Sequence, residues 1–119
     1  MLERAVPLRR VLIGNFGVIP RMGFQELLAR EGLEVLGAAE TTGEIIPRLS
    51  EVRPDVVLLD LDADDAPELA ARISADFPAT TVIACSCDEP IMRVFPPFHY
   101  GESYIAPFTR VLFAAALKD

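Results

Sequence analysis

Long apolar runs are missing from this 119-residue chain, and so is an excess of basic charge. No run approaches the roughly 20 apolar residues of a membrane-spanning helix. Arg4, Arg9 and Arg10 interrupt any secretory h-region at the start. Eleven Lys and Arg face 18 Asp and Glu, a net charge of -7. Phosphate contacts need clustered basic side chains, so this domain has no electrostatic means of holding nucleic acid. Cysteine is scarce as well: Cys85 and Cys87 stand two apart in one apparent strand. That spacing does not favour an ordinary disulfide and supplies too few ligands for a structural zinc. Two buried, reduced thiols in a cytoplasmic protein are expected. His99 is the only histidine. With no Ser/His/Asp set, glycine-rich phosphate loop or metal-ligand spacing around it, it reads as a surface or packing residue. There is no internal repeat, low-complexity segment or linker. Residues 1–119 therefore read as one domain, with hydrophobic content (51%) high enough to exclude wholesale disorder.

What is there is organised around Arg53-Pro54-Asp55-Val56-Val57-Leu58-Leu59-Asp60-Leu61-Asp62. Its apolar middle reads as a short strand buried on both faces, as in a parallel sheet. Asp60 ends the run, where side chains at the carboxyl ends of strands form sites in open α/β sheets. Asp62, Asp64 and Asp65 follow in the loop; their plain reading is a solvated turn and a helix cap. A first strand over Val11-Leu12-Ile13 leads into Gly14-Asn15-Phe16-Gly17. A helix from about Ile19 to Glu31 follows, with Pro20 in its first turn and Gly32 at its stop. Leu33 to Ala39 is a second strand. The helix after Thr42 should be shortened or kinked by Pro47. The next helix buries Leu69, Ile73 and Phe77, and Thr80 to Cys85 is a fourth strand ending at Ser86. Ile91, Met92 and Phe95 begin a helical face that Pro96-Pro97 breaks. Ser103-Tyr104-Ile105 is a fifth strand, and the last helix presents Phe108, Val111, Leu112 and Ala115 at helical spacing. The alternation predicts a flavodoxin-like (βα)5 doubly wound parallel sheet of strand order 2-1-3-4-5. Asn15, Asp60 and Ser86 would then share one rim.

In this order the chain resembles the receiver domain of bacterial response regulators, most closely the NarL/FixJ-type subfamily. The resemblance covers nearly the whole chain and rests on Arg10-Val11-Leu12-Ile13, Arg21-Met22-Gly23-Phe24 and Arg53 to Leu61. It implies that Asp60 occupies the phosphoacceptor position, Ser86 the Ser/Thr switch position, and that Tyr104 lies near the aromatic switch position. The family's metal-holding acidic pair is replaced by Asn15 and Phe16, and its strand-five Lys by Ala106 or Pro107. Asn15 offers only a neutral carbonyl, and Phe16 is expected to cover the pocket. Asp62 or Asp64 could substitute for the lost acids. The resemblance thus implies a degenerate site without a tight Mg²⁺ ion or other cofactor, and no enzyme. The expected role is that of an atypical, largely phosphorylation-independent interaction module, as part of a transcriptional regulator. Expected partners are a protein, as a homodimer or heterodimer, and a sensor kinase. Alternatives are a conventional receiver phosphorylated at Asp60 and a small α/β ligand-binding domain or enzyme using the Asp60 rim. Phe95, Phe98, Tyr100 and Phe108 concentrate aromatics where a partner could bind.

Overall fold

A computed structural model describes residues 9–39, 41–99 and 102–118. Tyr100 lies outside them. The elements in order are β1 (Arg10–Ile13), α1 (Val18–Arg30), β2 (Glu34–Ala38), α2 (Thr42–Val52), β3 (Val56–Asp60), α3 (Ala66–Asp76), β4 (Thr81–Cys85), β5 (Ile91–Phe95), the 3₁₀ turn Pro97–His99, β6 (Tyr104–Pro107) and α4 (Arg110–Lys118). They form one six-stranded sheet of order β2-β1-β3-β4-β5-β6. The first four strands are parallel, and β5 runs antiparallel to both β4 and β6. No described helix is long and apolar enough to cross a membrane.

Alternation along the central strands builds two cores. Val11, Ile13, Val56, Leu58, Ile83 and Cys85 turn toward Phe24 and Leu28 of α1 and Phe113, Ala116 and Leu117 of α4. Leu12, Val57, Leu59, Val82 and Ala84 turn toward Ile45 and Leu49 of α2 and Leu69, Ala70 and Ile73 of α3. Helices thus cover both faces, as a doubly wound sheet requires. Gly14 is needed where β1 ends against β3. Its N–H donates to the Leu58 carbonyl at 2.7 Å, and a Cβ there would lie 2.5 Å from the same oxygen. α2 runs unbroken through Pro47, which is exposed, while Ile45 and Leu49 are fully buried. Burial of that stripe holds the helix despite the missing N–H.

Two elements differ from the sequence expectation. Residues 91–95 are a strand, not the start of a helix. Met92 and Val94 are buried while Ile91, Arg93 and Phe95 are half-buried, a period of two. Pro90 and Pro96 bound five residues, too few for a stable helix and enough for a strand. The strand read as the fifth is therefore β6, one place farther out. The face of the last helix also differs. Phe113, Ala116 and Leu117 are its buried stripe, whereas Val111 is 77% and Leu112 is 41% exposed. Phe108 belongs to the preceding loop and packs edge-on against Phe113 at 5.0 Å. Of the other aromatics, Phe95 packs against the second core, while Phe98 is 54% exposed.

These faces set the cost of truncation. Phe113→Ala should destabilise the domain by about 3–5 kcal/mol, as loss of a buried aromatic does. Val111→Ala should stay within about 0.5 kcal/mol of the parent. Urea denaturation of the two variants checks the assignment, and a reversed ranking would restore the Val111 face as the core one.

Candidate functional site

Asp60 is the last residue of β3 and pairs with Cys85 on β4. Its carboxyl is half-buried, on the sheet face that carries α1 and α4. Oδ1 accepts the N–H of Asp62 at 2.9 Å, which folds the chain back after the strand. The Asp60 N–H donates to Asn15 Oδ1 at 3.3 Å, and Asn15 Nδ2 donates to Thr42 Oγ1 at 2.9 Å. Asn15 therefore ties β1, β3 and the start of α2 together with both ends of its amide. Phe16 does not cover the rim, as the sequence suggested. It is 4% exposed, with its ring 4.7 Å from that of Phe24, inside the first core. An aromatic ring beside the open face of α1 finds more apolar surface inward than over the carboxylate.

Ser86 stands at the rim but does not address Asp60. Its hydroxyl donates to Asp62 Oδ1 at 2.8 Å and accepts the N–H groups of Asp88 at 3.1 Å and Glu89 at 2.9 Å. Asp62 Oδ2 accepts the N–H of Cys87 at 2.8 Å and of Asp88 at 3.3 Å. Asp62 and Ser86 together hold the 86–89 turn that sends the chain back as β5. Sequence reasoning read Asp62 as part of a solvated turn or as a substitute metal ligand, not as the acceptor that holds the 86–89 turn. The available signal was the turn itself: Ser-Cys-Asp-Glu-Pro carries successive N–H groups that need an acceptor.

Electrostatics follow from this wiring. The Ser86 hydroxyl and the Cys87 N–H hold the Asp62 carboxyl below the usual carboxylate range. Burial pushes Asp60 upward, the Asp62 N–H opposes this, and the charges of Asp62 and Asp88 add to the rise. Donor atoms of Asp60, Asp62 and Cys87 lie within 4.8 Å of one another. As a Mg²⁺ site the set fits poorly. Asp62 is already committed to three donors, Cys87 is a soft ligand for a hard cation, and the Asn15 carbonyl is engaged. The two thiols part company. Cys85 is buried, as expected, but Cys87 is exposed, because it lies past the end of β4 in the turn. Partial burial and then the Asp60, Asp62 and Asp88 charges raise the Cys87 thiol above its ordinary range.

Ala106 and Tyr104 lie away from this corner. Register runs Asp60 to Cys85, Cys85 to Met92 and Met92 to Ala106. Ala106 is therefore level with Asp60 but three strands across, about 14 Å at roughly 4.8 Å per strand. Strand order 2-1-3-4-5 would have put it two strands away. Tyr104 is level with Val94 and Ile83, farther down the sheet, and 48% exposed. The structure thus joins Asn15, Asp60 and Ser86 at one rim, with Ser86 linked through Asp62, and leaves Tyr104 and Ala106 outside. The His99 backbone follows β5 at the sheet edge opposite Asp60.

Opposite pH signatures are expected for the two aspartates. A carboxyl raised in the folded state penalises folding above its folded pKa and is neutral to it below its unfolded pKa, about 3.9. Asp60→Asn should therefore raise stability at pH 7 and change little near pH 3. A carboxyl lowered in the folded state stabilises above the unfolded pKa and loses this as pH falls through the folded value. Asp62→Asn should lower stability at pH 7 and much less near pH 2. Denaturant midpoints across pH measure both, and a stability loss at pH 7 for Asp60→Asn would contradict the first. A thiol reagent should modify native Cys87 well before Cys85, with a rate still rising above pH 9. Equal rates for the two would place Cys87 inside.

No protein-family model matches the chain. It is 29% identical over 80 residues to the chemotaxis protein CheY of Thermotoga maritima, covering 66% of this chain and 67% of that protein. It is 32% identical over 79 residues to the chemotaxis protein CheY of Listeria monocytogenes, covering 65% of this chain and 66% of that protein, and equally so to that of Listeria innocua. With helices on both faces of a mostly parallel sheet and a carboxylate at the tip of a central strand, these likenesses support a signal-transduction receiver domain of the response-regulator type.

Proposed function

We propose that the chain is an atypical receiver, a regulatory interaction module whose state does not depend on phosphorylation of Asp60. The observation that carries this is the row Asp60–Cys85–Met92–Ala106. Phosphoryl transfer to a carboxylate is largely positioning and neutralisation of charge. The position expected to hold a cation is an alanine, and the added strand moves it out of reach of Asp60. At the other side, Asn15 and Phe16 supply no charge. The corner instead carries Asp60, Asp62 and Asp88, so a phosphodonor dianion meets negative potential. We assign it no tight Mg²⁺ site or other cofactor, and no catalytic turnover. Its output is contact with a protein, as a homodimer or with another chain such as a sensor kinase, within a transcriptional regulator. The exposed side chains of Val111, Leu112, Tyr104 and Ile105 are available for such contact.

A conventional receiver phosphorylated at Asp60 is the second reading, favoured by the position of that carboxyl at the end of β3. Acetyl phosphate with Mg²⁺ separates the two. Intact mass should show no phosphoryl adduct, and sedimentation should show micromolar self-association unchanged by phosphodonor or by Asp60→Asn. An adduct that Asp60→Asn abolishes, or a dimer formed only with phosphodonor and Mg²⁺, would establish the second reading.

A further inference from the structure

A groove of about 520 Å³ lies between α1, the 86–90 turn and the loop before α4. That volume is within the range of small-molecule sites. Its apolar surface comes from Phe24, Leu27, Pro90 and Phe108. The rings of Phe24, buried in the first core, and of half-buried Phe108 lie 6.1 Å apart, inclined by 31°, at the base of the groove. Its polar wall is Ser86 to Glu89. On that wall the Ser86 hydroxyl and the N–H groups of Cys87, Asp88 and Glu89 are already used, turned inward onto Asp62 and Ser86. What the wall has left for a ligand is the side chains of Cys87, Asp88 and Glu89, of which the two carboxylates accept and do not donate. None of the residues lining the groove is a lysine or arginine.

We propose that this groove binds a small organic cation: an ammonium or amidinium carried on an aromatic or branched apolar body. The floor takes the body, and aromatic faces add attraction for a nearby positive charge. Asp88 and Glu89 take the cationic head. An anion is refused by the wall and by the net charge of -7. The wall is preorganised by Asp62, and the Phe108 N–H donates to the Pro90 carbonyl at 2.7 Å, which fixes the far side. This site does not use the Asp60 carboxyl, although its Asp88 also belongs to the acidic corner at the tip of β3.

Gly23 supplies the test. It lies within α1 and lines the groove, and a Cβ placed there meets nothing within 4 Å. Gly23→Leu therefore adds a side chain at the groove from a Cβ in open space and favours the helix. The probes are 4-phenylbutylammonium, the neutral 4-phenylbutanol and the anionic 4-phenylbutyrate, titrated into the full chain and followed by backbone amide NMR. The ammonium should bind at least tenfold tighter than the alcohol, shifting amides of Leu27, Glu89 and Phe108, and the carboxylate should not bind. Asp88→Asn with Glu89→Gln should bring the ammonium down to the alcohol's affinity. Gly23→Leu should weaken the ammonium at least tenfold while thermal unfolding stays at or above the parent. Equal affinity for all three probes, or ammonium binding unchanged in Gly23→Leu, would overturn the proposal.

Discussion

Val56 to Leu59 have no solvent face. Their side chains are at most 1% exposed and alternate between the two cores, so β3 must be covered on both sides and flanked on both edges. That requirement places β1 and β4 beside it and α1, α4, α2 and α3 above and below. Burying such residues is worth about 1.5–3 kcal/mol each, and the four together outweigh any single polar contact at the rim. The strand can thus hold a half-buried carboxyl at its tip although that group resists ionisation there. Gly14 belongs to the same constraint, since the close approach of β1 to the Leu58 carbonyl leaves no room for a side chain.

Past the tip of β3, polar wiring takes over from burial. Asp60 turns the chain through the Asp62 N–H, and Asp62 then gathers the turn after β4. At this corner the carboxyls of Asp60 and Asp62 each answer a backbone demand, which brings two negative charges together. Asp62 meets its donors in full and falls in pKa, while Asp60 has one such donor against burial and rises. Two neighbouring aspartates thereby acquire opposite character.

Much of this was legible from the residues. The run from Pro54 to Asp60, the alternation of elements and the meeting of Asn15, Asp60 and Ser86 on one rim all follow from apolar runs bounded by turn residues. The 91–95 segment misled because Ile91, Met92 and Phe95 satisfy a helical spacing as well as a strand's, and only the flanking prolines arbitrate between them. The exposure of Cys87 was missed because both cysteines were read as residues of one strand, although Cys87 lies past the end of β4 at Cys85. The link from Ser86 to Asp62 was not legible, since hydrogen bonds between loops 24 residues apart leave no periodic trace.

The added strand explains more than its own length. Once β5 runs back beside β4, β6 is moved one place outward and Ala106 leaves the neighbourhood of Asp60. The chain then has to return over the sheet to cover Met92 and Val94, and α4 does this with Phe113, Ala116 and Leu117. Because those three define its inner stripe, Val111 and Leu112 are rotated to the outside. The same return carries Phe108 to Phe24, closing the floor of the groove beside the acidic turn. One antiparallel strand, held in place by prolines at both ends, thus separates Asp60 from the position expected to carry its cation. It also builds, on the same face, an aromatic surface edged by carboxylates.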